Sequence, residues 1–123
     1  MPVKNIAQSQ AFFEALGFSF DTRLSSQDEA CMVINDYSYI MLLREPFFET
    51  FTAKAIADTS FLAEAVYAIS ADSADEVDDM VNRALAAGGR PSSGFDSEGS
   101  LYKGSFQDID GHLWEIVYVE PEV

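Results

Sequence analysis

Two ionisable side chains near the end of the chain, Glu115 and His112, are of types that support acid–base and ligand chemistry. They follow the turn-forming pair Asp110-Gly111, in a run of β-branched and aromatic residues that predicts a strand over residues 113–119. Side chains alternate between the two faces of a strand, so Glu115 shares its face with leucine and valine. A carboxylate is costly to bury alone. We therefore expect Glu115 either to be solvated in a cavity or to bind a ligand.

His112, the only histidine, is predicted on the opposite face of that strand, beside the turn. A histidine in such a place can act as a general base or as a metal ligand. The alternative, and the simpler expectation, is a half-exposed residue where the strand begins. No Ser-His-Asp order and no glycine-rich phosphate loop accompanies it in the sequence.

The composition predicts an acidic globular protein of one domain. A chain of 123 residues can bury a real core, and its 21 acidic and 7 basic residues give a formal charge of −14. This charge argues against nucleic acid as a partner, because phosphates require lysine and arginine, and against anionic membranes. It predicts either an acidic surface that keeps the protein in solution or a field that steers cationic ligands.

Nothing in the sequence predicts a membrane or secretory segment. No apolar run approaches the ~20 residues of a membrane span, and the first residues lack the apolar segment of a signal peptide. We therefore expect a cytoplasmic protein. The single Cys31 rules out an internal disulfide and a cysteine-cluster zinc site, and its apolar surroundings predict a place in the core.

The pattern of apolar residues repeats one plan twice: strand, helix, then three strands. The first helix is predicted over residues 6–16, with Asn5 as its N-cap. The second follows the capping box Ser73-x-x-Glu76 and runs to about Ala87. The predicted strands are residues 3–5, 18–24, 30–35, 39–43, 64–71, 101–107 and 113–119. Residues 90–99 are expected to form a polar loop, with at most a short strand at its start.

This order predicts an α+β fold in which two paired βαβββ modules form curved mixed sheets around a cleft. Within a single domain of residues 1–123, we place the modules at about 1–44 and 64–120, joined by a linker at 45–63. Phenylalanines cluster in that linker, at Phe47, Phe48 and Phe51. If exposed, they indicate a pocket wall, a lid or a subunit contact; the alternative is that they close the core.

Three segments carry a family resemblance. Residues 2–18 open with Pro-Val-Lys-Asn-Ile and end with Phe-Phe-Glu-Ala-Leu-Gly-Phe, and residues 86–89 read Ala-Ala-Gly-Gly. Residues 108–115, Asp-Ile-Asp-Gly-His-Leu-Trp-Glu, resemble an Asp-Pro-Asp-Gly-x-x-x-Glu signature. Taken together, these three segments make the chain resemble the vicinal oxygen chelate superfamily. That superfamily includes glyoxalase I, bleomycin and fosfomycin resistance proteins and extradiol dioxygenases. The resemblance implies paired βαβββ modules, often completed as a homodimer.

The same resemblance bears on a metal site. Metal-dependent members carry ligands at four strand positions, two in each module, and Glu115 matches the last of them. The first position falls before Met1, and the others fall near Leu42 or Leu43 and near Val66, whose apolar side chains cannot bind a metal. We therefore expect no cofactor; the alternative is a divalent zinc, nickel, iron or manganese ion that Glu115 binds weakly.

Three kinds of function remain. The first, which we expect, is a small-molecule-binding protein of the glyoxalase/bleomycin resistance type, working as a homodimer. The second is a metal-dependent lyase or isomerase resembling glyoxalase I, or an enzyme resembling extradiol dioxygenases. The third is a structural role with the chemistry lost. Glu115 and His112 are the candidate catalytic residues, and the candidate ligand-binding residues are Tyr39, Met41, Tyr102, Trp114 and Glu115. Core packing is the alternative role for each of the aromatic residues.

Overall fold

Each half of the chain forms a four-stranded sheet with one long helix in the computed structural model, which describes residues 1–121. The halves are separate units that divide between Asp58 and Thr59. The first contains β1 (Pro2–Val3), α1 (Ile6–Ala15), β2 (Ser19–Asp21), β3 (Glu29–Asn35), β4 (Ser38–Arg44) and the one-turn helix α2 (Glu45–Phe48). The second contains β5 (Val66–Ser70), α3 (Ala74–Ala86), β6 (Arg90–Glu98), β7 (Leu101–Gln107) and β8 (Leu113–Val119).

Both sheets have the same topology. The strand orders are β1-β4-β3-β2 and β5-β8-β7-β6, so in each unit the first strand pairs with the last. That pairing is parallel, and the remaining pairs are antiparallel. The predicted α+β fold of two βαβββ modules is confirmed.

The two long helices begin at the predicted residues. The Asn5 side chain accepts a hydrogen bond from the backbone N–H of Gln8, at 2.9 Å. Ser73 Oγ accepts one from the backbone N–H of Glu76, at 3.0 Å. The Glu76 carboxylate in turn accepts from the backbone N–H of Asp72, at 2.8 Å, one residue before the donor of an ideal capping box. Each cap satisfies a backbone group that the helix leaves unpaired and stabilises it by about 1 kcal/mol.

Each helix covers one face of its own sheet. In the first unit α1 packs on β3 and β4, and the buried apolar side chains of the whole unit are Val3, Ile6, Phe12, Phe13, Leu16, Ala30, Cys31, Met32, Leu42 and Leu43. In the second unit α3 packs on β7 and β8, and the buried apolar side chains are Val77, Val81, Ala84, Phe106, Trp114 and Ile116. We call the side of the second sheet that α3 covers the helix face, and the other side the open face.

The edge strand β6 is where the structure differs most from the sequence-based expectation. Residues 90–99 were expected to form a polar loop, whereas Arg90–Glu98 pairs with β7 along an interrupted register. The register shifts between Pro91 and Phe95, and Gly94 within that interval has a φ of 74°. Proline, glycine and serine lower strand propensity, but an edge strand needs partners on one side only and tolerates such a bulge.

Two other predicted strands are shorter than expected. The strand expected over residues 18–24 ends at Asp21, because the Asp21 carboxylate accepts from the backbone N–H of Arg23 and starts a 3₁₀ turn at Thr22–Leu24. The strand expected over residues 64–71 is limited to β5. In the expected linker, α2 is followed by a second 3₁₀ turn. No helix among residues 1–121 has the length and apolar character to cross a membrane.

The turn before β8 depends on a glycine. Gly111 has a φ of 88°, which a residue with a side chain adopts only with strain. A Cβ at this position would also collide with the backbone oxygen of Thr59. Thr59 is held against the turn because its hydroxyl donates a 2.5 Å hydrogen bond to the backbone oxygen of Asp110. The start of the second unit is therefore packed directly on its last turn.

Replacing this glycine tests that packing. We expect Gly111→Ala to lower the free energy of unfolding by about 3 kcal/mol, from backbone strain and the collision with Thr59 together. Gly99→Ala is the matched control, because Gly99 has a φ of 60° and open space where a Cβ would lie. The control should cost about 1 kcal/mol. Urea unfolding measures both values, and equal losses in the two variants would contradict the close approach at Gly111.

Candidate functional site

Glu115 lies on the open face of the second sheet, in the middle of β8. Strand register places it between Ala68 of β5 and Ser105 of β7. Ala68 is exposed and too small to cover its neighbour, so the Glu115 side chain keeps 32% of its surface accessible. The expected carboxylate on an otherwise apolar strand face is therefore partly solvated.

Lys103 is the charged partner of Glu115. Its Nζ lies 3.4 Å from Glu115 Oε1, and both side chains are 32% exposed. Register places Lys103 on the open face between Val117 of β8 and Asp96 of β6. An ion pair with this exposure contributes at most about 1 kcal/mol to stability, so the pair holds two charges at the surface without fixing them there.

An open depression of about 470 Å³ lies beside this ion pair. It is lined by Ala68, Ile69, Ser70, Ala71, Val117 and Val119. Ala68 and Val117 continue the open face toward Glu115, so apolar surface and an ion pair adjoin each other. Such a surface can hold the apolar part of a small molecule while a charged group orients it.

The residues around Glu115 do not fit a divalent metal. Its neighbours across the sheet, Ala68 and Ser105, supply no carboxylate, imidazole or thiolate, and a single carboxylate holds a divalent metal only weakly. Val66, near the expected ligand position on β5, lies exposed on the same face and cannot bind a metal. Among residues 1–121, no group of three or more His, Cys, Asp or Glu side chains is placed to hold one.

His112 lies on the helix face and is buried, at 1% exposure, so the expectation of a half-exposed residue is wrong. Two of its neighbours are Glu64, whose Oε1 lies 2.7 Å from His112 Nδ1, and Tyr67, whose ring centroid lies 6.2 Å from that of His112. Glu64 precedes β5 and reaches back over the turn, a contact between residues far apart in sequence. A substrate cannot reach a base that is covered in this way, so we do not carry His112 forward as a catalytic residue.

Asp108 organises the polar groups around His112. Its carboxylate accepts hydrogen bonds from the backbone N–H groups of Asp110 and His112, at 2.9 and 3.0 Å, and from Trp114 Nε1–H at 2.9 Å. Burial raises the pKa of Asp108, although His112 and these hydrogen bonds act in the opposite direction. The network thus joins the turn to the first residues of β8.

Tyr67 completes the buried cluster from the neighbouring strand β5. Its ring centroid lies 5.0 Å from that of Trp114 and 6.2 Å from that of His112. Burial, with the nearby Glu64 carboxylate as a second cause, raises the pKa of Tyr67 to about 12. The phenol is therefore held in its neutral form by its surroundings.

Trp114 and Tyr102, two expected ligand-binding residues, lie on the opposite face of the sheet from Glu115. Trp114 is 1% exposed and stacks on Phe106 at a centroid distance of 6.3 Å. The Tyr102 hydroxyl donates a 2.5 Å hydrogen bond to Asp78 of α3. Trp114 is therefore packed in the core, whereas Tyr102 is half-buried. A part for either ring in ligand binding stays a prediction.

Tyr39 and Met41 lie in the first unit, on β4. They share a strand face, as the alternation predicted, and Tyr39 is 60% exposed. Met41 is half-buried and lies opposite Cys31 of β3. The participation of these two residues in ligand binding stays a prediction.

Sequence reasoning missed three residues of the open-face arrangement, Lys103, Ala68 and Asp96. A signal for the first was present, because a hairpin closed at residues 108–112 pairs Gln107 with Leu113 and so sets the register from Lys103 to Val117. Asp96 could not be found in this way, since its strand was expected to be a loop.

A comparison with protein families gives one match that spans most of the chain. The model of the Glyoxalase/Bleomycin resistance protein/Dioxygenase superfamily matches residues 1–116. No curated protein sequence matches the chain.

Solved structures with the same fold include several from bacteria. A hypothetical protein from S. aureus is 21% identical, with a TM-score of 0.83, and the match covers 96% of this chain and 88% of that one. A glyoxalase/bleomycin resistance protein/dioxygenase family enzyme from Burkholderia phytofirmans PsJN is 17% identical, with a TM-score of 0.80 and coverages of 97% and 94%. A bleomycin resistance determinant encoded on transposon Tn5 is 14% identical, with a TM-score of 0.64 and coverages of 98% and 94%. At these identities the similarity shows the fold alone.

The Asp108 network yields a stability prediction. An asparagine at position 108 would place its NH₂ group against the indole N–H of Trp114 in one orientation of its amide and against the two backbone N–H donors in the other. We expect Asp108→Asn to lower the free energy of unfolding by about 2 kcal/mol. The loss should be smaller in a Trp114→Phe background, which lacks the indole donor. Urea unfolding of the double-mutant cycle measures this, with Asp36→Asn in an exposed turn as the control; additive losses would contradict the proposed coupling.

Tyr67 yields a prediction about alkaline pH. A tyrosine in the unfolded chain ionises near pH ~10, whereas the pKa of Tyr67 in the folded protein is about 12. Between these values the unfolded state loses its proton first, so the contribution of Tyr67 to stability is present below pH ~10 and is lost as the pH rises toward 12. Urea unfolding from about pH 9 to pH 11.5 should therefore show the wild type losing stability relative to Tyr67→Phe. A difference between the two proteins that stays constant with pH would contradict this.

Proposed function

The chain belongs to the Glyoxalase/Bleomycin resistance protein/Dioxygenase superfamily, and from that premise we propose that it binds a small organic molecule on the open face of its second unit, without a metal. One observation carries the proposal: the Glu115 carboxylate, at the strand position where metal-dependent members of the superfamily have a ligand, is paired with Lys103 and adjoins an apolar depression. A charged group beside an accessible apolar surface suits recognition of a small molecule.

The apolar lining would supply part of the binding free energy. Burying apolar surface contributes about 25 cal/mol per Å², and Ala68, Val117 and Val119 present such surface on neighbouring strands. Glu115 would then orient the ligand through one charge-assisted hydrogen bond or ion pair, which is stronger than a bond between neutral groups. We propose Glu115 as this polar anchor.

The donor atoms around Glu115 favour this function over a metal-dependent lyase or dioxygenase. A metal that polarises a substrate carbonyl needs several protein ligands to hold it. Glu115 has an alanine, a serine and a lysine as neighbours, so no step through a metal is derived from this site.

The homodimer that the resemblance implies stays a prediction. The aromatic side chains that such a contact could cover include Phe51 in the first unit and Phe61 in the second, each largely exposed. Apolar rings at the surface favour a contact with another molecule.

The proposal predicts that Glu115→Gln weakens ligand binding without destabilising the protein. Small aromatic and aliphatic compounds, screened by NMR, should shift the methyl signals of Ala68, Val117 and Val119 in a saturable way. Loss of the anchoring charge should weaken the best of these ligands about tenfold, while the free energy of unfolding changes by less than about 1 kcal/mol. Glu14→Gln, an exposed position on α1 with the same change of charge, is the control.

Two outcomes would contradict the proposed function. One is a ligand that binds elsewhere or binds Glu115→Gln and the wild type equally well. The other is about one equivalent of zinc, nickel, iron or manganese in the dialysed wild type, measured by elemental mass spectrometry and absent from Glu115→Gln. That result would assign the protein to the metal-dependent lyases or dioxygenases.

A further inference from the structure

Lys103 has two carboxylates within the reach of its side chain on the open face. Glu115 is the present partner, with a nitrogen–oxygen distance of 3.4 Å. Asp96 of β6 lies directly across from Lys103 in strand register, and residues paired in this way have side chains close enough to interact. Lys103 is therefore paired with one carboxylate and lies across from a second one in strand register.

From this arrangement we propose that Lys103 is a built-in competitor for Glu115. It pairs with Glu115 when no ligand is bound, and it moves to Asp96 when the ammonium group of a small organic amine takes its place. The inference rests on the proposed function, since it concerns the same anchor, and it goes further by naming the ligand class and a residue that sets the affinity.

The contact between Lys103 and Glu115 has the properties of an exchangeable pair. Charge-assisted N–H···O hydrogen bonds in proteins measure about 2.7–2.9 Å, so a distance of 3.4 Å is long. Arginine pairs elsewhere in the described residues are shorter, at 2.8 Å for Arg23–Asp21 and 2.9 Å for Arg83–Asp79. Lysine is a point charge on a flexible four-carbon chain, which allows it to change partners without moving the backbone.

The charge balance selects a cation as the ligand. Glu115 and Asp96 carry two negative charges against the one positive charge of Lys103, so one additional cation completes the pairing. An anion would have to approach Lys103 beside the carboxylate with which it is paired, in a protein whose formal charge is −14. The displaced Lys103 keeps a partner in Asp96, so binding the amine leaves no charge unpaired.

The lining of the neighbouring depression indicates the chemistry of the uncharged part of the ligand. Its lining is mostly alanine and valine, with the hydroxyl of Ser70 as a polar side-chain group. A compact hydrocarbon or aromatic body attached to the ammonium group would cover Val117 while the charge reaches Glu115. Benzylammonium has this form, and benzyl alcohol and benzoate are its neutral and anionic counterparts.

The test compares these three probes on the whole protein by methyl NMR titration. We expect benzylammonium to shift the Ala68, Val117 and Val119 methyl signals most, and to bind Lys103→Met about two- to fivefold more tightly than the wild type, because the competing charge is removed while the apolar stem is kept. Arg83→Met is the matched control, with the same loss of charge on α3 at the other face, and its affinity should equal that of the wild type.

A second pair of variants tests the alternative partner. Asp96→Asn should bind benzylammonium about two- to fivefold more weakly, since the carboxylate directly across from the displaced Lys103 is then lost. Glu14→Gln, an exposed position on α1 of the first unit with the same loss of one negative charge, is the control and should bind benzylammonium as tightly as the wild type does.

The outcomes separate this inference from the proposed function. If Glu115→Gln abolishes benzylammonium binding but Lys103→Met binds no better than Arg83→Met, Lys103 is not a competitor and only the inference fails. If benzoate binds more tightly than benzylammonium, and loses affinity in Lys103→Met, the ligand class is wrong. If Glu115→Gln and the wild type bind benzylammonium equally, or if no probe binds either the wild type or Lys103→Met, the proposed anchor fails together with the inference.

Discussion

The second unit depends on the hydrogen bonds of one carboxylate, that of Asp108. It accepts from two backbone N–H groups in the turn and from the indole of Trp114, so it fixes where the turn ends and which way the first residues of β8 point. Strand side chains alternate, and a shift of one residue would exchange the two faces. Because Trp114 is held toward α3, its neighbour Glu115 must point to the open face. The accessible charge of the candidate site is thus positioned by a network on the other side of the sheet.

The side chains on the helix face of β8 stabilise the fold, whereas those on its open face form the candidate binding site. On the helix face, the polar groups of His112 and Asp108 are buried and hydrogen-bonded, which is the condition under which polar groups are tolerated in a core. On the open face, Glu115 and Lys103 are half-buried charges whose pairing is weak enough to change. A substitution on the first face is expected to affect folding, and one on the second to affect recognition.

Sequence patterns among neighbouring residues were enough to predict much of the fold. The caps at Asn5 and Ser73 and the alternation around Glu115 could be predicted because each depends on residues close in sequence. The burial of His112 could not, because its neighbour Glu64 comes from a segment 48 residues earlier. Strand β6 was missed for a different reason: its composition disfavours a strand, and pairing with β7 outweighs that local preference. The ion pair at Glu115 required the register between two strands, which becomes clear only once the hairpin is aligned.

The topology of the second sheet also has a consequence for how the protein folds during synthesis. Among residues 1–121, strand β5 pairs with β8 alone, and β8 is the strand of this sheet that is synthesised last. The segment before β5 is also held to the turn before β8, because the Thr59 hydroxyl donates a hydrogen bond to the backbone oxygen of Asp110, 51 residues later. Closing a loop of this length has an entropic cost that must be met before the contacts form, and such non-local pairing slows folding. The first sheet can be completed as soon as β4 has emerged, whereas β5 waits with its edge unpaired until β8 is made. The nascent chain therefore carries an incomplete second sheet from the time that β5 emerges until β8 is made.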